Sequence, residues 1–152
     1  ESEASTIWND DQNGLGWELN ASQDEMNLND CSIYCDDKNA DGSDGVWRMP
    51  TISELRGLVR NCEFTVSEGS CQVIDDCASS AQCRDETCDG CGGDIACYIV
   101  EELADNCGVY QSATLDDEDG NYIWSIDFGA GAINPVLWNE LHLCRCVKSQ
   151  AR

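Results

Sequence analysis

The sequence predicts a disulfide-rich α+β fold in which two helices pack on a mainly antiparallel sheet, with a long loop-rich insert. Three observations support this prediction: a well-defined helix start at residues 47–56, a period-two apolar pattern in the C-terminal third, and twelve cysteines in 152 residues. A chain of this length is large enough for one hydrophobic core. We therefore expect a single domain over residues 1–152, with a cysteine-rich insert at residues 61–107.

The second of the two predicted helices has the clearer signals. Pro50 disfavours helical conformation in the residue before it, Thr51 can cap the amides that follow, and Glu54 completes a capping box. The helix should therefore begin at Thr51 and bury an apolar stripe against the sheet, with Arg56 outside that stripe. The stripe consists of Ile52, Leu55, Leu58 and Val59.

The first predicted helix runs from Leu28 to Asp36, with Asn29 or Asp30 near its start. Its apolar face, at helical spacing, consists of Leu28, Cys31, Tyr34 and Cys35.

Strands are expected at both ends of the chain. Residues 7–8 and 15–19 flank a polar turn and predict a short hairpin at an edge of the sheet. Residues 122–128 alternate apolar and polar side chains, and the sequence Gly129-Ala130-Gly131 then reverses the chain into residues 132–136. This pattern predicts a second hairpin with an aromatic face. Residues 108–114 and 141–148 should supply the strands before and after it.

These motifs together resemble the Lcl C-terminal domain family, bacterial extracellular domains related to C-type lectins. The string from Trp47 to Leu55 is similar to the family signature W-R-L-P-T-x-x-E-L. Further matches follow in the family's order: Trp8 with the turn 10–14, Leu15, Trp17, Tyr34-Cys35, Tyr110, Ser112, residues 124–129 and Arg145-Cys146-Val147. The resemblance covers nearly the whole chain and implies a C-type lectin-like fold.

The resemblance also bears on four of the cysteines. Cys31 and Cys35 share one helix face, while Cys144 and Cys146 share one face of a strand. Lectin-like folds join the first helix to the last strand, so the resemblance implies that these two pairs are bonded to each other, in an order that stays open. Each bridge would close a loop of more than a hundred residues, for which the chain-entropy model gives about 4 to 5 kcal/mol.

The remaining cysteines lie in the insert, where few apolar residues are available and disulfides are needed instead of a core. They are Cys62, Cys71, Cys77, Cys83, Cys88, Cys91, Cys97 and Cys107. A zinc or iron-sulfur site formed by Cys83, Cys88, Cys91 and Cys97 is the alternative, because Cys88 and Cys91 have C-x-x-C spacing. A second such pair is missing, so we expect four disulfides, whose connectivity the sequence does not give.

The charge and the cysteine content of the chain limit where the protein can act and which partners it can bind. Thirty acidic against eight basic residues give a net charge of -22, which repels nucleic acid, anionic lipid and sulfated polysaccharide. Twelve cysteines indicate an oxidising compartment, so we expect a secreted or cell-surface protein. Residues 1–6 lack the features of a signal peptide, so any such peptide would have been removed, and no segment is long and apolar enough for membrane insertion.

An acidic segment at residues 37–45 is the candidate metal site. Asp37, Asn39, Asp41 and Asp44 place oxygen donors along a loop that resembles the first half of an EF-hand, with Gly42 at its sixth position. Arg48 stands where the twelfth-position glutamate belongs, which excludes an EF-hand proper. A looser calcium loop is the functional interpretation, and a solvated acidic loop is the alternative.

A second candidate site is the triplet Trp138-Asn139-Glu140. It resembles the W-N-D triplet with which sugar-binding C-type lectins hold calcium and sugar hydroxyls together. The alternative is a plain polar turn between strands.

The sequence favours a binding function over catalysis. His142 is the single histidine, and the even number of cysteines indicates that all are bridged, so no nucleophile with an assigned base is found. We expect a non-catalytic binding or adhesion module that recognises a glycan or protein at a bacterial surface. The alternative is a structural subunit that self-assembles into an extracellular filament or surface layer.

Overall fold

A computed structural model describes residues 7–22, 24–41, 46–92 and 97–149. Within these ranges the framework consists of two α-helices and two antiparallel three-stranded sheets. The helices are α1 (Leu28–Asp37) and α2 (Ile52–Arg56). The first sheet has the order β1-β2-β6, with β1 at Ile7–Asp10, β2 at Leu15–Glu18 and β6 at Val147–Ser149; the second has the order β3-β4-β5, with β3 at Val109–Asp116, β4 at Asp119–Asp127 and β5 at Ala132–Leu137.

The disulfide-rich α+β prediction is confirmed, but its single sheet is in fact two. The segment at residues 141–148, predicted to be one closing strand, pairs with several different partners. His142 forms a bridge with Met26, and Leu143 forms one with Tyr110. Only residues 147–149 form a strand, which pairs with β2. Within the described ranges, no helix is both long and apolar enough to cross a bilayer.

Helix α1 begins at Leu28, as predicted, and the residue before it forms the cap. The capping residue is Asn27, whose side chain accepts a hydrogen bond from the Asp30 amide at 2.9 Å, and not Asn29 or Asp30. Asn27 is extended, whereas its successors are helical, which is the conformation that an N-cap requires. The helix buries Cys31 and Cys35 on one face.

Helix α2 confirms the predicted capping box. The Thr51 hydroxyl accepts from the Glu54 amide at 3.2 Å, and the Glu54 carboxylate accepts from the Thr51 amide at 2.9 Å. The helix ends at Arg56, but the whole predicted apolar stripe is buried, with Val59 in a bridge to Ile99. The stripe shares one core with Trp124, Ile126 and Phe128, so the expected contact between α2 and the aromatic hairpin is confirmed.

The prediction that Arg56 lies outside the buried stripe is wrong. Its side chain is 1% exposed, and its guanidinium donates four hydrogen bonds to backbone carbonyls of the insert. The acceptors are the carbonyls of Thr65, Val66, Cys71 and Val73, at 3.1, 2.5, 2.7 and 2.8 Å. A planar guanidinium with five donors can satisfy carbonyls that the short helix cannot reach with its backbone.

Six disulfides join the chain. Cys31 bonds Cys144, and Cys35 bonds Cys146; the second members lie in the extended segment just before β6 and not within the strand. The insert closes on itself through Cys62–Cys91, Cys71–Cys88, Cys77–Cys83 and Cys97–Cys107.

The contributions of the two bridges from α1 to stability are not additive, which corrects the full value expected for each from the sequence. They close nearly the same loop, with separations of 113 and 111 residues. Once one is formed, the other closes a ring of only a few residues. The chain-entropy model therefore gives about 5 kcal/mol for the first bridge and about 2 kcal/mol for the second.

Candidate ligand-binding groove

An open groove of about 740 Å³ lies between helix α1 and the segment 46–51. Three other cavities in the described part of the chain are smaller, at about 220, 470 and 390 Å³. Its lining combines aliphatic side chains with a small number of charged ones: Leu28, Ser32, Ile33, Asp36, Val46, Trp47, Arg48, Met49, Thr51, Glu54 and Ala113. This composition is typical of ligand sites in proteins.

One wall of the groove is a face of α1. Leu28, Ser32 and Asp36 recur every four residues and therefore lie in one row along the helix. Ile33 lies beside this row and is 58% exposed. The disulfides at Cys31 and Cys35 hold the neighbouring, buried side of α1 against the chain's final segment, which fixes the position of the groove wall.

The opposite wall and the floor come from residues 46–51. Val46 is 69% exposed at the rim, whereas Trp47 and Met49 are almost fully buried beneath it. The backbone of Trp47 is held at both ends by the Asn39 carboxamide, which accepts from the Trp47 amide at 2.8 Å and donates to its carbonyl at 3.1 Å. Arg48 adds a two-way backbone pairing with Val147. The floor is thus fixed before any ligand arrives.

Three charged side chains line the groove, and two of them neutralise each other. Arg48 donates to both carboxylate oxygens of Glu54, at 2.7 and 2.8 Å. This bidentate hydrogen bond raises the pKa of Arg48 above its ordinary value, so the guanidinium stays charged. Asp36 is exposed and has no partner among the described residues. The described lining of the groove therefore carries one uncompensated negative charge.

A buried carboxylate fixes the orientation of α1. Glu18, 8% exposed, accepts hydrogen bonds from the Tyr34 hydroxyl and from the Cys146 amide (3.0 Å), and it pairs with Lys38 at 2.9 Å. Burial, followed by the hydrogen bond to Glu18, raises the pKa of Tyr34 well above its ordinary value. Because Tyr34 and Lys38 both belong to the end of α1 or to the turn after it, Glu18 connects that end to strand β2.

All seven described basic side chains are committed to contacts within the chain. Two are buried against backbone carbonyls, four pair with carboxylates or carbonyls nearer the surface, and one stacks on an aromatic ring. They are Arg56 and Arg145; Lys38, Arg48, Arg60 and Arg84; and Lys148, whose Nζ lies 5.0 Å from the centroid of the Trp47 ring. Every basic side chain that an anionic ligand could use on the described surface is therefore already engaged in a contact within the chain.

Two of the four residues predicted to bind calcium lie wholly or partly outside the described part of the structure. Asp37 is exposed at the end of α1, and Asn39 uses its carboxamide to hold Trp47. The side chain of Asp41, and all of Asp44, lie outside the described residues. Calcium takes six to eight oxygen ligands. The described part of the loop supplies one unengaged carboxylate, so calcium binding here stays a prediction that depends on Asp41 and Asp44.

The predicted triplet Trp138-Asn139-Glu140 forms the turn after β5, apart from the groove. The Trp138 carbonyl accepts from the Leu28 amide at 3.0 Å, so this turn supports the start of α1. Asn139 and Glu140 are exposed, with a Glu140 oxygen 3.5 Å from Nε2 of His142. Its role in ligand binding stays a prediction.

The sequence reasoning missed the groove. The signal available in the sequence was that Ile33 and Val46 are aliphatic residues that belong to none of the periodic apolar stripes. Their proximity could not be inferred, since it depends on how the two disulfides orient α1.

The comparisons with known proteins agree with this architecture. The family model described as the Lcl C-terminal domain matches residues 6–148, which is nearly the whole chain. No curated protein and no solved structure matches it significantly. Six disulfides and this type of domain are characteristic of proteins outside the reducing cytosol. On the family match and the fold together, the chain belongs to the Lcl C-terminal domain family.

Proposed function

We propose that the domain is a non-catalytic binding module that acts outside the cell, and that the groove between α1 and residues 46–51 holds a segment of a protein ligand. The observation that carries this proposal is the pair of exposed aliphatic side chains, Ile33 and Val46, above a fixed floor. Exposed aliphatic groups on a rigid frame gain free energy when a partner covers them.

A protein segment fits the groove better than a glycan does. The exposed apolar side chains of the walls, Ile33 and Val46, are aliphatic, and Trp47 in the floor is only 8% exposed, which leaves little aromatic surface for a sugar ring. A sulfated glycan would need basic groups, and the described basic side chains are already engaged. An aliphatic side chain entering the groove would instead be covered on both sides.

The absence of catalysis is part of the proposal and rests on the chemical inventory. All twelve cysteines are in disulfides, so none is a nucleophile. His142 lies in a backbone bridge with Met26, away from the groove.

The test is a selection of random twelve-residue peptides displayed on phage, with the oxidised domain immobilised. We expect enriched peptides to lose affinity by about tenfold on an Ile33→Gln variant, because covering the remaining exposed part of that side chain is worth about 1 to 2 kcal/mol. Leu141→Gln is the matched control, since Leu141 is 57% exposed against 58% for Ile33 and lies outside the groove. Equal losses on both variants, or enrichment only on a glycan array, would contradict the proposal.

Self-assembly is the second candidate, and the edge position of β1 favours it. This strand pairs with β2 alone in its sheet, so a strand from a neighbouring copy could extend the sheet. A net charge of -22 opposes association of copies unless cations intervene. Size-exclusion chromatography with light scattering, with calcium and with chelator, distinguishes the candidates: a filament subunit forms oligomers in calcium, and a binding module stays monomeric in both.

A further inference from the structure

We infer that the ligand segment is basic as well as apolar, and that Asp36 pairs with one lysine or arginine of that segment. This inference rests on the proposed function, because it names the partner class for the same groove. The other groove charges, Arg48 and Glu54, already satisfy each other, so Asp36 is the group that remains for a charged ligand.

The position of Asp36 in its helix supports a role in binding. It lies in the last turn of α1, where the negative end of the helix macrodipole disfavours a carboxylate, and that turn contains no basic residue. The exposed acid has no partner in the described structure to offset this cost. Helix stability alone would favour a neutral or basic residue at position 36.

The net charge of the whole chain also favours a basic segment as the partner. With a net charge of -22 and every described basic side chain engaged, the field around the groove attracts cations and repels acidic segments. A second copy of the chain carries the same charge and is disfavoured as the occupant. A segment with an apolar side chain for the Ile33–Val46 walls and a basic side chain for Asp36 satisfies both features of the groove.

The experiment repeats the peptide selection on three forms of the oxidised domain at low salt: unmodified, Asp36→Asn and Asp36→Lys. Peptides enriched on the unmodified domain should contain an apolar residue near a lysine or arginine, whereas those enriched on Asp36→Lys should replace the basic residue with Asp or Glu. Glu102→Gln is the control, since it removes one exposed negative charge outside the groove and should leave the selected peptides basic.

Affinities are then measured by fluorescence anisotropy with the labelled twelve-residue peptide most enriched on the unmodified domain. We expect Asp36→Asn to weaken binding by about three- to fivefold, the range of a partly exposed ion pair, and Glu102→Gln to change it by less than about 1.5-fold. Thermal melts serve as the folding control: both Asp36 variants should melt at or above the temperature of the unmodified domain, because the helix end is relieved.

The outcomes separate this inference from the proposed function. If peptides bind in an Ile33-dependent way but show no basic preference, or if Asp36→Lys does not reverse that preference, the inference is wrong and the groove remains a binding site. If the enriched peptides do not depend on Ile33, the proposed function itself fails. A loss on Glu102→Gln equal to that on Asp36→Asn would mean that only the net charge matters, which also overturns the role of Asp36.

Discussion

Replacement of Arg56 tests how the cysteine-rich insert is held to the rest of the fold. Arg56→Met keeps the aliphatic stem and removes all five donors, so the carbonyls of Thr65, Val66, Cys71 and Val73 lose the hydrogen bonds from the guanidinium, and the Val66 carbonyl keeps only the one from the Gly69 amide. At about 1 kcal/mol net for each hydrogen bond, the loss reaches about 4 kcal/mol. The substitution also removes the desolvation penalty of a buried charge, which offsets part of this loss. We therefore expect the free energy of unfolding to fall by about 2 to 4 kcal/mol.

Two further variants make the prediction specific. Arg56→Lys keeps the charge but has three donors on one nitrogen, which cannot reach four separated carbonyls, so it should lose about 1 to 2 kcal/mol. Arg60→Met is the matched control, because Arg60 is more exposed and one of its nitrogens donates only to the nearby carbonyls of Gly57 and Val59. That change should cost less than about 0.5 kcal/mol.

The assay is equilibrium denaturation of the oxidised proteins, combined with hydrogen exchange of the Val66 and Cys71 amides, which bond to Cys62 and Phe64 within the insert. These amides should lose protection in Arg56→Met before the global transition, since the insert opens locally first. An Arg56→Met protein as stable as the Arg60→Met control, with both amides still protected, would refute the assigned role of Arg56.

Three other predictions concern the frame around the groove. Removal of either bridge from α1 alone should cost about 2 kcal/mol and removal of both about 7 kcal/mol, as measured by denaturation; single costs that add up to the cost of the double removal would contradict the shared-loop account. The raised pKa of Tyr34 means that its neutral form stabilises the fold, a contribution present below the ordinary value of 10.0 and lost at higher pH. Tyr34→Phe should therefore lose less stability than the unmodified protein between about pH 9 and pH 12 in denaturation experiments, and parallel pH profiles would contradict this. Asn39→Ala should cost about 1 to 2 kcal/mol in excess chelator, because its carboxamide makes two hydrogen bonds to Trp47; a cost seen only in calcium would instead make Asn39 a metal ligand.

Local signals explain which elements could be predicted from the sequence. The start of α2 was predictable because Thr51 and Glu54 complete each other's hydrogen bonds within four residues. The β4–β5 hairpin was predictable because its alternation continues across a glycine-containing turn, where Gly131 has a φ of 69°. The bonds from α1 to the final segment followed from the family resemblance, and the structure supplies their order.

Features that depend on distant residues could not be predicted in the same way. Arg56 looks like a surface residue on a helical wheel, and its burial requires acceptors from residues 65–73, which fold according to disulfides whose connectivity the sequence does not give. The groove likewise requires Val46 and Ile33, which are distant in sequence, to line the same cavity, and this depends on where the disulfides from α1 hold that helix. Both features arise from covalent closure between segments far apart in the chain.

The most direct test of the binding groove is a nitrogen-15 correlation spectrum of the oxidised domain, titrated with the selected twelve-residue peptide. Perturbed amides are predicted to cluster along residues 28–36 and 46–51, with the Ile33 and Val46 signals moving together to saturation at one dissociation constant. The amides of the 138–140 turn and of Leu141 should change least. Saturable shifts centred on that turn or on the insert, with residues 28–36 unchanged, would contradict the assignment of the groove as the ligand site.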